Sequence, residues 1–136
     1  MANARQEIDK AVLAKLNTAT VLATAKGGVF NTLAPKGALS PFVVFQAMSK
    51  IDEHSFNGRF ANAVYMVKAV SRSQSPKEAQ DVDTVIDSTL EDASLSITGF
   101  TPLLCRRESD LYLVEPDGSD LWHHIGGLYR IMADQT

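Results

Sequence analysis

The chain has 136 residues, 45% of them hydrophobic and 7% aromatic, and thirteen Lys and Arg against sixteen Asp and Glu leave a net charge of −3. That length suits one domain spanning 1–136 with enough apolar surface to hold a core unaided, and the acidic balance lacks the basic excess usual in nucleic-acid binders. The single cysteine, Cys105, excludes an internal disulfide and any multi-cysteine metal cluster. The polar start MANARQEIDK reads as no secretory signal, and no apolar run nears the roughly 20 residues that cross a bilayer. The expectation is a soluble, intracellular domain with no membrane partner.

Taken in chain order, Ile8, Ala11, Val12 and Leu16 recur at three- and four-residue steps and predict an amphipathic helix from Ala2 to about Leu16. Asn17 and Thr18 weaken the pattern, Val21 and Leu22 prolong it, and Lys26-Gly27-Gly28 ends it. Val29–Leu33 alternates as a short strand does, and Ala34–Ala38 reads as a turn or loop. Pro41–Met48 predicts a strand buried on much of both faces. Lys50–Ala61 is polar around Asn57-Gly58, a strong hairpin signal, and Ala63–Arg72 is the return strand.

Ser75-Pro76-Lys77-Glu78 has the form of a capping box, and Val82, Val85, Ile86, Leu90 and Ala93 give the following helix, from about Pro76 to Ala93, its apolar face. Leu103–Arg107 and Asp110–Val114 are strand-like, either continuous or bulged between. Pro116–Ser119 is a turn, and Leu121–Met132 is a closing strand whose Gly126-Gly127 pair permits a bulge or a close approach. The fold class is α+β, a mainly antiparallel β-sheet with two main helices packed on one face.

Chemistry is sparse. His123 and His124 are adjacent on a strand and point to opposite faces, so they suit packing and surface hydrogen bonds better than one metal. Cys105 lies in an apolar strand, where thiols are usually inert, although Arg106 and Arg107 nearby would favour a thiolate. The carboxylates Asp81, Asp83, Asp87, Glu91 and Asp92 occupy the solvent side of an amphipathic helix, and no glycine-rich stretch has phosphate-loop spacing. No catalytic, metal or cofactor residue is assigned, and a non-enzymatic role is expected.

Other features suit contact with proteins. The stretch Ile51–Phe60 mixes charges with two phenylalanines, and Asp52, Glu53, His54, Phe56, Arg59 and Phe60 are its interface candidates. Phe56 and Phe60 either anchor a partner or fold back onto the sheet. Gly27–Gly37, with Phe30 as its candidate, is long and loosely patterned, as segments that lie across a neighbour often are.

The order of motifs is itself informative. An amphipathic first helix is followed by Gly28-Val29-Phe30-Asn31-Thr32-Leu33-Ala34-Pro35, by Ser40-Pro41-Phe42-Val43-Val44-Phe45 and by Ala63-Val64-Tyr65-Met66-Val67-Lys68-Ala69-Val70-Ser71. Then come the helix opened by Ser75-Pro76-Lys77-Glu78-Ala79 and the end His124-Ile125-Gly126-Gly127-Leu128-Tyr129-Arg130-Ile131. In this order the chain resembles the tail-completion, or tail terminator, family of long-tailed phages and related gene transfer particles. The resemblance implies a small α+β domain without catalytic residues or cofactor, assembled as a homo-oligomeric ring of six. Such a ring caps the tail tube protein, halts its polymerisation and presents the surface for the head-tail connector protein. Its place is the head-proximal end of the virion tail, with DNA only in transit through the lumen, for which a wall of few cations is apt. Two alternatives stand beside it, another head–tail connector or neck protein and a small α+β enzyme using His123 or His124.

Overall fold

The computed structural model describes residues 3–55 and 58–135. Helix α1 spans Ala4–Leu16, where Asn3 caps the start by accepting from the Gln6 amide at 3.2 Å and Ala4, Ile8, Ala11, Val12 and Leu16 form the buried face. The break at Asn17-Thr18 separates α1 from a short second helix, α2 (Ala19–Thr24), so Val21 and Leu22 begin a new helix rather than prolong the first. The glycines then end it for a steric reason. The Gly27 amide donates to the Pro41 carbonyl at 2.8 Å, and a Cβ on Gly27 would sit 1.6 Å from the Leu39 carbonyl oxygen.

Five strands follow, β1 (Val29–Asn31), β2 (Phe42–Ser55), β3 (Gly58–Arg72), β4 (Phe100–Asp117) and β5 (Asp120–Gln135), with helix α3 (Lys77–Leu90) between β3 and β4. The sheet order is β1-β2-β3-β5-β4, and every neighbouring pair is antiparallel except β1 with β2. This is the expected α+β class, with one parallel pair added at the edge.

Both hairpins are longer than their hydrophobic patterns suggest. The β2–β3 ladder runs from Phe42 opposite Val70 to Ser55 opposite Gly58, with an irregularity between Ala47 and Ser49. Lys50–Ala61 is therefore mostly strand. Backbone pairing needs no apolar side chains, and this end of the hairpin is largely open to solvent, so its residues are polar. Asn57 of the expected turn lies outside the described residues. The β4–β5 ladder runs from Phe100 opposite Gln135 to Asp117 opposite Asp120, with register shifts beside Leu103 and Glu108.

The turn before α3 departs from a capping box. Ser75 Oγ accepts from the Lys77 amide at 3.2 Å, but the Glu78 carboxylate accepts from Ser71 Oγ at 2.6 Å and Ser40 Oγ at 3.4 Å. It thereby ties the helix to β3 and to the segment before β2. At the other end α3 stops at Leu90, earlier than Ala93, because Asp92 takes a left-handed φ of 58° and gives its amide to the Cys105 carbonyl on β4.

The core lies between α1, α3 and one face of the sheet. Alanines 61, 63 and 69 on β3 leave room for helix side chains, while Tyr65, Tyr129 and Phe45 are its largest fully buried members. A smaller cluster, Phe42, Val44 and Val70 with Phe30 and Trp122, covers one end of the opposite sheet face.

Candidate interaction surface

The far end of the β2–β3 hairpin gathers five of the expected contact residues. Asp52 stands opposite Ala61, Glu53 opposite Phe60, and His54 opposite Arg59. Lys50 Nζ lies 3.1 Å and Arg59 Nη1 4.0 Å from the Asp52 carboxylate, Arg59 Nη2 also donates to Gln135 Oε1 at 3.3 Å, and Asn62 Nδ2 donates to Glu53 at 3.0 Å. Asp52 and His54 are exposed, whereas Phe60 is half-buried beside a polar cleft shared with Ala4, Lys50, Phe100 and Gln135. The tip thus carries alternating, locally balanced charge. Phe56 lies outside the described residues. Phe30 is not brought to this tip. It sits at the opposite end of β2, paired with Val44 and packed edge-to-face on Phe42 at 6.0 Å between ring centroids.

A second region includes part of the Gly27–Gly37 segment singled out in the sequence, although the groove it forms was not foreseen. On the sheet face away from the helices, the loop after β1 roofs an apolar groove of about 250 Å³ lined by Leu33, Ala34, Phe42, Val70, Trp122 and Lys68 among others. Burial lowers the pKa of Lys68, with Glu115 partly opposing the shift. The signal available in the sequence is the pair of leucines, Leu33 and Leu39, inside a loop otherwise made of turn residues.

His123 pairs with Ser71 and His124 with Val70, so the two rings lie on opposite faces. The His124 Nε2 is 2.8 Å from Glu115, while the buried His123 ring has no hydrogen-bond partner among the described residues. Among the described residues no group of three or more His, Cys, Asp and Glu is placed to hold a metal. The Cys105 thiol is pushed up to about 12 by burial, reinforced by Glu91 and Asp92, which opposes the thiolate that neighbouring arginines were expected to favour.

The arginines are engaged elsewhere. Arg106 pairs with Glu91 at 3.7 Å and Asp92 at 3.4 Å. Arg107, 14% exposed, forms a two-pronged pair with Asp83 at 3.0 and 3.1 Å and reaches Asp110 at 2.9 Å, the Tyr129 hydroxyl at 3.3 Å and the Gly126 carbonyl. Burial opposes its charge, but Asp83 overcomes that and holds the guanidinium above its usual range.

The architecture has counterparts among solved structures. A chain in a structure described as the virion of a native gene transfer agent particle superposes with a TM-score of 0.82 over 98% of both chains at 12% identity. A second solved structure matches with a TM-score of 0.62 over 96% of both chains at 13% identity. Similarity at those identities reports shared fold. No curated protein sequence matches the chain. The family model described as "Tail completion protein gp17" matches residues 10–132, nearly the whole chain from within α1 to within β5. The chain is a member of the tail completion protein gp17 family.

Proposed function

We propose that this protein is a structural component of a tailed virion that acts as a tail terminator, a closed ring on the head-proximal end of the tail tube. The match to the tail completion family over residues 10–132 carries the reading. Its mechanism is geometric. One end of the ring mimics the contacts of the next tube ring, the other end lacks them and receives the head connector, and polymerisation stops. A ring of identical subunits joined head to tail requires two different complementary patches on each subunit. Six subunits and a lumen through which DNA passes follow the family resemblance, and the −3 charge suits a wall that does not retain phosphate.

The charged tip formed by Asp52, Glu53, His54 and Arg59 is the proposed contact with a ring above or below. It is exposed, lies at one extremity of the sheet, and its ion pairs contribute little to folding. The test is an assembly reaction with purified tail tube protein and the chain at stoichiometric excess. Tubes of limited length, each bearing a terminal ring in negative stain, are the expected result. Tube lengths unaffected by the chain would overturn the terminator reading.

A further inference from the structure

The structure leaves long stretches of both sheet edges open. On one side β1 covers β2 only along Val43–Phe45, so Gln46–Ser55 has an unpaired edge within the sheet. On the other side β4 (Phe100–Asp117) is the terminal strand and carries Pro102 and Pro116, residues that edge strands tolerate. Its outer edge is covered by the end of α3 at Cys105, whose carbonyl accepts from the Asp92 amide, and at Arg107, whose amide donates to Glu91, and is open on either side of that step. Open edges of this length template pairing with another chain, and soluble proteins normally blunt them.

These edges are apolar as well as open. Nine large apolar side chains are exposed among the described residues. Leu33, Leu39, Met48 and Ile51 lie along the β1–β2 side, Leu103, Tyr112, Leu113 and Val114 lie on β4, and only Leu13 lies elsewhere. Two different apolar patches on opposite sides of the sheet suit a head-to-tail contact.

Geometry and charge agree on the pairing. Successive strands β2, β3, β5 and β4 are each antiparallel to the last, so β4 beside the β2 of another copy continues the alternation without a reversal. Rows across the sheet place Ile51 level with Leu104, through Asn62 and Met132, and Phe42 level with Leu113, through Val70 and His124. An unstaggered neighbour therefore sets Ile51 beside the Leu103–Leu104 step, and the loop preceding Phe42 beside Leu113. At that second level residues 32–41 carry Lys36 and no acid, while residues 110–117 carry Asp110, Glu115 and Asp117 and no cation, these acids also facing Arg107, His124 and Arg72 of their own subunit.

From this we propose that the β4 edge of one copy adds antiparallel to the β1–β2 edge of the next, with residues 110–117 against the 32–41 loop. The proposal rests on the ring reading above and specifies its subunit contact, a case of strand addition between identical chains.

Two double variants test it, L103K/L113K on the β4 edge and M48K/I51K on the β2 edge, with mass measured by light scattering over a concentration series and fold by circular dichroism. The wild type is expected to form closed rings, and each variant alone is expected to need about a hundredfold more protein to assemble, as loss of a contact centre requires. A 1:1 mixture of the two variants should give a two-chain species of twice 14.8 kDa and nothing larger, since each retains one competent edge. That mixture also reports that both variants are folded. If lysine disturbs the dichroism spectrum, L113T and I51T take their place. Wild-type rings that persist in both variants would overturn the edge assignment and leave the ring intact, the result expected if these apolar residues serve the tube protein instead. A wild type of single-chain mass throughout would overturn the ring and its edges together.

Discussion

Tyr65 and Tyr129 stand directly opposite one another on β3 and β5, and each hydroxyl ties a different helix to the sheet. The Tyr65 hydroxyl bonds the Asp9 carboxylate of α1 and lies 3.4 Å from the Arg5 carbonyl, while Tyr129 donates to Asp87 of α3 at 3.0 Å. Burial raises both phenol pKa values, and the hydrogen bond to Asp9 or Asp87 adds to the rise. Tyr65→Phe and Tyr129→Phe should each cost about 1.5–3 kcal/mol in denaturant unfolding, the range for a hydrogen bond to a charged group. Amide exchange should separate them, with protection lost in 4–16 for the first and in 77–90 for the second. Uniform loss in both helices would contradict separate anchoring.

Arg107 is another fastening between α3 and the sheet, beside Tyr129–Asp87 and Ser71–Glu78. Removing it leaves Asp83, whose side chain is 17% exposed, without its two-pronged partner. Arg107→Ala should therefore destabilise by about 3–5 kcal/mol. Arg107→Lys keeps the charge but loses the planar fork, and should recover less than half of that cost in the same unfolding measurement. Equal stability of the lysine variant and the wild type would mean that charge alone matters.

The helices were legible because an amphipathic period survives in sequence wherever a helix covers a sheet, as Ile8, Val12 and Leu16 or Val82, Ile86 and Leu90 do. The ends of the hairpins were less so, since the ladder from Lys50 to Ser55 is held by backbone groups that every residue carries. Arg107 gave no local signal of its role, because Asp83 lies 24 positions away. Gly126-Gly127 did give a signal, and close approach rather than a β3–β5 bulge is the outcome. A Cβ on Gly126 would lie 2.1 Å from the Val67 carbonyl oxygen, and one on Gly127 2.4 Å from Arg107 Nε. The candidate tip was visible as a charged stretch around Asn57-Gly58, whereas the open edges depend on strand order, which hydrophobic pattern does not encode.

Glycine positions give a sharp stability test. Gly27→Ala and Gly126→Ala both drive a methyl into backbone, 1.6 Å from Leu39 and 2.1 Å from Val67, where no side-chain rotation relieves the overlap. Each should lose at least about 1–3 kcal/mol, the cost of overpacking, and lower the thermal midpoint accordingly. Gly118→Ala meets nothing within 4 Å, so only its φ of 61° opposes the change, and its loss should be about 1–2 kcal/mol. A Gly126→Ala variant as stable as wild type would mean that β3 and β5 separate readily at this point.

Alkaline pH should weaken the fold in two stages. Cys105, Tyr65 and Tyr129 are acids whose folded pKa values are raised, so the native state holds protons that the unfolded chain has released. Their stabilisation is complete below the unfolded values and is lost as pH climbs towards the folded ones. Loss should begin near pH 9 with the thiol and steepen above about pH 10 with the phenols, at up to about 1.4 kcal/mol per pH unit for each group. Cys105→Ala should remove the first stage in urea titrations at successive pH values. The native thiol should also resist a disulfide reagent until unfolding, and rapid labelling at neutral pH would contradict its burial.

On the proposed function, variants at the hairpin tip distinguish assembly of a ring from capping of a tube. Its ion pairs, Lys50–Asp52 at 3.1 Å and Arg59–Asp52 at 4.0 Å, are largely solvent-facing, so exchanging their charges should move stability by no more than about 1 kcal/mol. Asp52 and Glu53 also stand away from the β4 edge, across two intervening strands, although they belong to the strand whose Gln46–Ser55 edge is open. Reversing charge at the tip with D52K/E53K should therefore leave the unfolding midpoint nearly unchanged and reduce self-assembly far less than M48K/I51K does. If the tip meets the tube or the head connector, the same variant should fail to limit tube length, because a mismatched charge across a contact opposes correct docking. Phe60→Ser, at a half-buried position, should add a modest loss of stability to any loss of capping. Normal tube capping by D52K/E53K, measured as the length distribution in negative stain, would remove the hairpin tip from the contact and place it on the edges or the outer sheet face.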